Sequence, residues 1–216
     1  MTVAPSAPRR GTSEATLVVV LTVLNGAVAW TVLRVAGWDG TGTELALRTT
    51  ARVSFVYFLL AFVASPLDWV WPGRVSRWLV RRRRVLGVLF GLSMSIHVLC
   101  IVRLFALYAP RRPPMVTLAD FFVGIPGLLL VASMTVTSLD ALRRRLGPWW
   151  WGRLHRTGLW TVWTNFFLCL VDSVGRKVTH HPTLEYHAFI ALLLAALALR
   201  MAAWATSPGR RPAEAV

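Results

Sequence analysis

A histidine lies at the far end of an apolar segment in this 216-residue chain. Residues 81–97 read RRRRVLGVLFGLSMSIH, so His97 follows four arginines and a dozen residues that are nearly all apolar or small. An ionisable side chain is costly within a membrane and usually marks a functional site. We therefore predict that His97 is a ligand. The alternative stays open: a neutral histidine hydrogen-bonded to a backbone carbonyl or to a Ser/Thr hydroxyl of a neighbouring helix.

Other histidines lie near the ends of apolar segments. His155 stands in RLHRTGLW between Arg153 and Arg156, where a solvated interfacial side chain explains it as well as a ligand does. A third group lies between the fifth and sixth apolar segments and consists of Asp172, His180, His181, Glu185 and His187. Paired histidines with carboxylates can bind a transition metal. Their spacing matches no zinc signature, so the sequence favours a solvated loop there.

The composition places the chain among integral membrane proteins. Hydrophobic residues make up 56% of it and charged residues only 15%, against about a quarter charged in soluble domains. The net charge of +15 does not indicate nucleic-acid binding, because the arginines lie between the apolar segments and do not form a soluble basic face. Several of the eleven tryptophans flank those segments, as is usual at a membrane–water interface.

We predict an all-α bundle of six transmembrane helices, each close to the ~20 residues that a crossing helix needs. The predicted spans are about 16–36, 53–71, 85–108, 117–137, 155–174 and 186–204. They form one transmembrane domain over residues 15–205, with disordered Pro/Ala/Ser/Gly-rich tails at 1–14 and 206–216. The two cysteines lie inside apolar segments and predict no disulfide framework.

Loop charge predicts the orientation. If the N-terminus is cytoplasmic, 16 of the 24 Lys and Arg residues lie in cytoplasmic segments and eight on the outer side. This bias predicts that both termini are cytoplasmic and that the protein is a multi-pass protein of a bacterial inner or plasma membrane. His97 is 13 residues beyond Arg84, which places it about 20 Å into the membrane along the third span.

Several short motifs together resemble the ferric-reductase-like transmembrane family. They are Ser65-Pro66-Leu67, then Arg83, Arg84, Leu86, Gly87 and His97, then Thr137-Ser138-Leu139, Arg144-Arg145-Leu146-Gly147, Trp151 and Arg153-Leu154-His155-Arg156. Within that family the chain looks most like the bacterial haem-binding membrane subunits that feed electrons to a periplasmic methionine sulfoxide reductase. The resemblance covers roughly residues 15–204, and the Trp-x-x-Leu-His-Arg stretch is its most specific part.

The resemblance implies a b-type haem protein that carries electrons across the membrane. It implies His97 on the third span and His155 on the fifth as haem ligands, and Arg83 and Arg84 where a flavin phosphate (FMN) would bind. Electrons would come from a cytoplasmic flavin or reductase, or from quinol, and go to an acceptor on the outer face. The expected partners are membrane lipid, a separate donor and a separate acceptor protein, with no nucleic acid.

One departure from the family pattern concerns the second haem ligand. The family usually has a second histidine on the fifth span, about 13 residues after the first, and this chain has Leu168 there. We expect position 168 to face His97 at the same depth. The replacement candidates are Cys169, Asn165 and His187, and His187 ranks first because of its ligand type and its side of the membrane.

The partner of His155 is also incomplete, because the corresponding position is Arg83. His97 and His155 are about 20 Å apart in depth by helix rise, so they cannot bind one haem from opposite sides. Two other functions therefore stay open. One is a divergent, haem-free member that serves as a membrane scaffold or partner subunit. The other is a small transporter that uses the outer histidines for a metal ion.

Overall fold

The computed structural model of the protein describes residues 10–108, 124–175 and 183–206. Within these ranges all the regular structure is helical, as predicted. The elements are α1 (Arg10–Ala36), α2 (Gly40–Val70), α3 (Arg74–Tyr108), α4 (Ile125–Val136), α5 (Asp140–Leu146), α6 (Pro148–Gly175) and α7 (Thr183–Ala205).

Four of these helices are long and apolar enough to cross a membrane: Glu14–Ala36, Gly40–Val70, Arg74–Leu107 and Leu184–Ala205. A fifth span is possible if α4 and α5, which meet at an angle of 105°, are one broken crossing. Helix α6 is not among these four. It has 28 residues and is long enough to cross a membrane, so it differs from them in being less apolar. Six spans were predicted; the fourth of them (117–137) falls partly outside the described residues.

The turn between α1 and α2 depends on two glycines. Gly37 has a φ of 103°, a left-handed conformation that favours glycine. A Cβ on Gly42 would overlap the Gly37 carbonyl. Asp39 caps α2, its Oδ1 accepting a hydrogen bond from the Gly42 backbone N–H at 3.0 Å. These contacts hold α1 and α2 as a tight antiparallel pair.

Helix α2 is the centre of the bundle. It packs against α1, α3 and α7, whereas α4 packs against α3 and α6, and α6 against α7. The interior is filled by a cluster of phenylalanines that we call the aromatic core. Its members are Phe55, Phe58 and Phe62 of α2, Phe90 of α3 and Phe166 of α6.

Small residues allow α4 to approach its neighbours closely. A Cβ on Gly91 of α3 would overlap the side chain of Thr135, and a Cβ on Gly158 of α6 would overlap that of Met134. Close backbone approach at small residues is a common basis of helix packing in membranes, where lipid provides no hydrophobic drive between helices. The two glycines therefore determine where α4 lies between α3 and α6.

We expect Gly91→Ala to destabilise the protein, because the added methyl group overlaps Thr135 and overpacking costs about 1–3 kcal/mol. The measurement is the midpoint of thermal unfolding in detergent. Gly87→Ala on the same helix is the matched control, because a Cβ there meets no heavy atom within 4 Å. Equal midpoints for the two variants would contradict the close approach of α3 and α4 at Gly91.

Candidate cofactor site

The imidazole of His97 is anchored to α2. Its Nδ1 lies 3.2 Å from the backbone oxygen of Leu47 and 3.1 Å from Oγ1 of Thr50. Thr50 Oγ1 itself donates to the carbonyls one turn earlier, at 2.9 Å from the oxygen of Ala46. Because its proton is used there, Thr50 acts as an acceptor toward His97. Both neighbours of Nδ1 are acceptors, so Nδ1 carries the proton and Nε2 keeps its lone pair.

This contact agrees with the interpretation of His97 as a histidine bonded to a neighbouring helix. It does not argue against a ligand, because ligating histidines donate their other N–H to a carbonyl in the same way. In the described part of the chain, no hydrogen bond to Nε2 accompanies those to Nδ1. The half-buried ring is therefore oriented and has one nitrogen available for a metal.

A buried polar cluster lies one helical turn from His97 and joins three helices. Asn25 Nδ2 of α1 donates to Ser93 Oγ of α3 at 2.7 Å, and Ser93 Oγ lies 2.8 Å from Ser54 Oγ of α2. The three residues are at most 5% exposed. Buried hydroxyl and amide groups are costly without partners, so this cluster holds α1 against the helix pair that carries His97.

His155 lies at the opposite end of the bundle from the His97 level. Its Nε2 is 3.4 Å from Oγ1 of Thr137, and its ring stacks on Trp151 with centroids 4.2 Å apart. The indole N–H of Trp151 donates to the Thr137 backbone oxygen at 3.1 Å. The guanidinium carbon of Arg143 lies over the Trp151 indole, 4.5 Å from the ring centroid. His155 is thus packed in a polar and aromatic junction between α4, α5 and α6.

Neighbouring arginines have different surroundings. Arg84 donates to the backbone oxygen of Ser138 at 2.6 Å and pairs with Asp140 at 2.8 Å. It therefore ties α3 to the junction of α4 and α5. Arg83 donates to Ser65 Oγ of α2 at 3.1 Å. Within the described ranges no carboxylate oxygen lies within 4.0 Å of Arg83.

The two histidines lie at different levels of the bundle. Arg84 contacts Ser138, and His155 contacts the adjacent Thr137, so His155 lies beside the Arg84 level of α3. His97 is 13 residues farther along α3, about 20 Å away. The structure therefore does not bring His97 and His155 together around one metal ion. We call the end that holds Arg83, Arg84 and His155 the basic end.

Leu168, the position expected from the sequence to face His97, lies on the exposed side of α6. The core-facing residues of α6 include Val162 and Phe166. Position 168 is two residues beyond Phe166, about 200° around the helix. Leu168 is accordingly 47% exposed and lines a groove on the outer face of α6.

The replacement ligands proposed from the sequence lie on α6 and α7, and their surroundings differ. Asn165 turns toward α4 near Gly127, and Cys169 Sγ lies 3.7 Å from Asn165 Oδ1. His187 is an exposed residue of α7, two residues after Glu185. Glu185 binds Arg52 of α2 with contacts of 2.6 and 2.8 Å. Neither hydrogen bond of His97 goes to any of the three candidates in the described part of the chain.

The outer group of histidines and carboxylates forms no metal site in the described part of the chain. His180 and His181 lie outside the described residues. Among those that are described, no three His, Cys, Asp or Glu side chains come together to hold a metal ion.

Arg200 of α7 is a residue that sequence reasoning missed, since it was counted only as an orientation charge. Its guanidinium carbon lies 4.3 Å from the ring centroid of Phe62 and 5.6 Å from that of Trp160. Its Nη1 is buried and has no hydrogen-bond partner in residues 10–108, 124–175 and 183–206. The signal in the sequence was a single arginine within the apolar stretch ALALRMAAWA.

The apolar helices and their packing define a polytopic helical membrane protein. Residues 49–168, more than half of the chain, match the family described as ferric reductase like transmembrane component. The chain belongs to this family, and membership suggests a function in membrane electron transfer. No curated protein and no solved structure matches the chain. Helices α1 and α7 lie outside the matched segment.

We expect Ser93→Ala to lower stability, because Asn25 Nδ2 loses its buried partner and an unpaired buried polar group costs about 1–3 kcal/mol, whereas Ser54 keeps its bond to the Thr50 backbone oxygen. Ser95→Ala is the matched control on the same helix, since Ser95 is exposed and bonds only the carbonyl of Gly91 one turn back. The measurement is the thermal unfolding midpoint in detergent. A drop for Ser95→Ala as large as that for Ser93→Ala would contradict the role of the buried cluster.

Proposed function

We propose that the protein is a transmembrane b-type haem protein that moves electrons from a cytoplasmic donor to an acceptor on the outer face. The observation that carries this proposal is the orientation of His97. Its Nδ1 is held by Leu47 and Thr50, which leaves Nε2 as a neutral nitrogen ligand. Membership of the ferric-reductase-like family supports haem as the group that such a nitrogen would bind.

The residues around His97 would hold haem through one imidazole nitrogen, and no second ligand is placed beside it among the described residues. His155 lies at another level, and Leu168 lies on the outer face of α6. When bound, haem supplies a one-electron carrier. The task of the chain is to present the His97 nitrogen and to surround it with the apolar side chains of the bundle. His155 stays a candidate ligand for a separate haem at the basic end, and His187 stays a candidate for the second ligand.

The basic end suits the electron donor. Among the described residues, the hydrogen-bond partner of Arg83 is the neutral Ser65 hydroxyl, so its guanidinium can still pair with a flavin phosphate. Arg84 is the weaker candidate, because Asp140 already neutralises it. We infer that this end faces the cytoplasm, from the bias of loop charge, in a bacterial inner or plasma membrane. A subunit of a periplasmic methionine sulfoxide reductase system is the corresponding assignment for the whole chain.

The aromatic core supports a second function, that of a haem-free scaffold or partner subunit. Phe166 of α6 contacts Phe58 with ring centroids 5.4 Å apart and Phe90 of α3 at 6.3 Å. These rings fill the interior between α3 and α6, where the family's haem would lie. A member of the family that has replaced a haem ligand with Leu168 and closed the interior with phenylalanine would keep the fold and lose the redox chemistry.

Absorption spectra separate the two functions. We expect the protein purified in detergent to show a Soret band, and an α band after reduction with dithionite. His97→Ala should remove or shift these bands because the anchored nitrogen is lost. Ser95→Ala, two residues away and exposed, is the control and should keep the wild-type spectrum.

Two outcomes would contradict the haem function. If wild-type protein shows no Soret or α band even after haem supplementation, the electron-transfer proposal fails and the scaffold is favoured. If the spectrum of His97→Ala equals that of wild type, His97 is not a ligand.

Leu168→His tests the position of the second ligand. Because position 168 lies on the outer face of α6, we expect the new imidazole not to reach the iron and the spectrum to stay unchanged. Conversion to the spectrum of a bis-histidine, low-spin haem would contradict this placement and would indicate that α6 turns toward α3 when haem binds.

A further inference from the structure

Arg200 lies against Phe62 of α2, and Arg83 donates to Ser65 one turn farther along α2, so both arginines are at the basic end. No carboxylate oxygen lies within 4.0 Å of either guanidinium among the described residues. Arg200 is half-buried against Phe62 and Trp160, and its Nη1 has no hydrogen-bond partner in the part of the chain that the structure describes. Burying an unpaired charge near a like charge is unfavourable, so Arg200 calls for an anion that the described part of the chain does not provide.

A groove begins beside this arginine and runs along the outer face of α6. Its volume is about 520 Å³. The lining residues are Arg156, Thr157, Trp160, Thr161, Thr164 and Leu168. From Arg156 to Leu168 the helix rises about 18 Å, a length suited to an acyl chain. The surface that lines it is mainly apolar.

Trp160 connects the groove to Arg200. It lines the groove, and its ring centroid lies 5.6 Å from the Arg200 guanidinium carbon. Arg156 is one turn before Trp160 on the same face of α6. Arg156 and Trp160 therefore line one end of the groove, and Arg200 lies against Trp160 there. The other described residues that line the groove are uncharged.

We propose that this groove binds an anionic phospholipid, with its phosphate between Arg156 and Arg200 and an acyl chain along α6. Guanidinium groups pair bidentately with phosphate. Basic pockets between transmembrane helices bind anionic lipid headgroups, and an indole at that level is typical of the membrane interface. The lipid phosphate supplies the missing counter-charge of Arg200. Neither of the two histidines proposed as haem ligands, His97 and His155, lines the groove.

Native mass spectrometry of the detergent-purified protein tests the proposal. The probes are phosphatidylglycerol and phosphatidylcholine with identical acyl chains. We expect preferential retention of phosphatidylglycerol, and an affinity about fivefold lower for Arg200→Gln, the loss expected for one arginine at a lipid headgroup. Arg77→Gln is the charge-matched control, because Arg77 is exposed on α3 away from the groove. It should bind as wild type does.

Thr164→Trp distinguishes a lipid from a soluble anion. The indole fills the middle of the groove and leaves both arginines in place, so we expect it to weaken phosphatidylglycerol binding as well. Displacement of the bound anion by inorganic phosphate or FMN, with no effect of Thr164→Trp, would replace the lipid with a soluble phosphate. Equal retention of the two lipids, or wild-type affinity in Arg200→Gln at an unchanged unfolding midpoint, would overturn the proposal. The proposal would also be overturned if the protein is a dimer and Thr164→Trp dissociates it without changing lipid binding. A second copy of the chain would then occupy the groove.

Discussion

Buried polar side chains hold this apolar bundle in register. A membrane offers no water to satisfy an exposed hydroxyl, amide or imidazole, so each must find its partner on a neighbouring helix. Asn25, Ser54 and Ser93 do so across α1, α2 and α3. His97 does so through Leu47 and Thr50 of α2. The same bonds that position α1 and α3 around α2 therefore also orient the imidazole that is the best candidate for a cofactor ligand.

Charge is distributed unevenly between the two ends of the bundle. At the end where α7 begins, Arg52 and Glu185 form a two-bond ion pair between α2 and α7. At the basic end, Arg84 has Asp140, whereas Arg83 and Arg200 have no carboxylate partner in the described ranges. Unneutralised arginines beside an apolar interior are the feature that most directly points to an anionic ligand, whether a flavin phosphate at Arg83 or a lipid phosphate at Arg200.

The interior of the bundle limits how the family's chemistry can be carried out. The imidazole of His97 on α3 is well oriented. The space between α3 and α6, however, is occupied by Phe58, Phe90 and Phe166. Two close contacts, Gly91 with Thr135 and Gly158 with Met134, hold α4 between α3 and α6. A haem in this position would require the phenylalanine rings to move. A scaffold would require no change.

The sequence by itself determined the class of protein, because apolar segment length, arginine placement and tryptophan position are local properties of the chain. It also identified the family, since each of the motifs between Ser65 and Arg156 is a short, local run of residues. The sequence also predicted six spans. The polar residues of α6 make that helix less apolar than the four helices that are apolar enough to cross a membrane.

Tertiary structure alone decided which face of α6 points inward: Phe166 contacts the core while Leu168, two residues later, lies outside. It also decided that Arg84 is neutralised and Arg83 is not, although the two are adjacent. The physical reason is that helix rotation and the meeting of distant side chains depend on how whole helices pack, and neither is encoded in the spacing of residues along one segment.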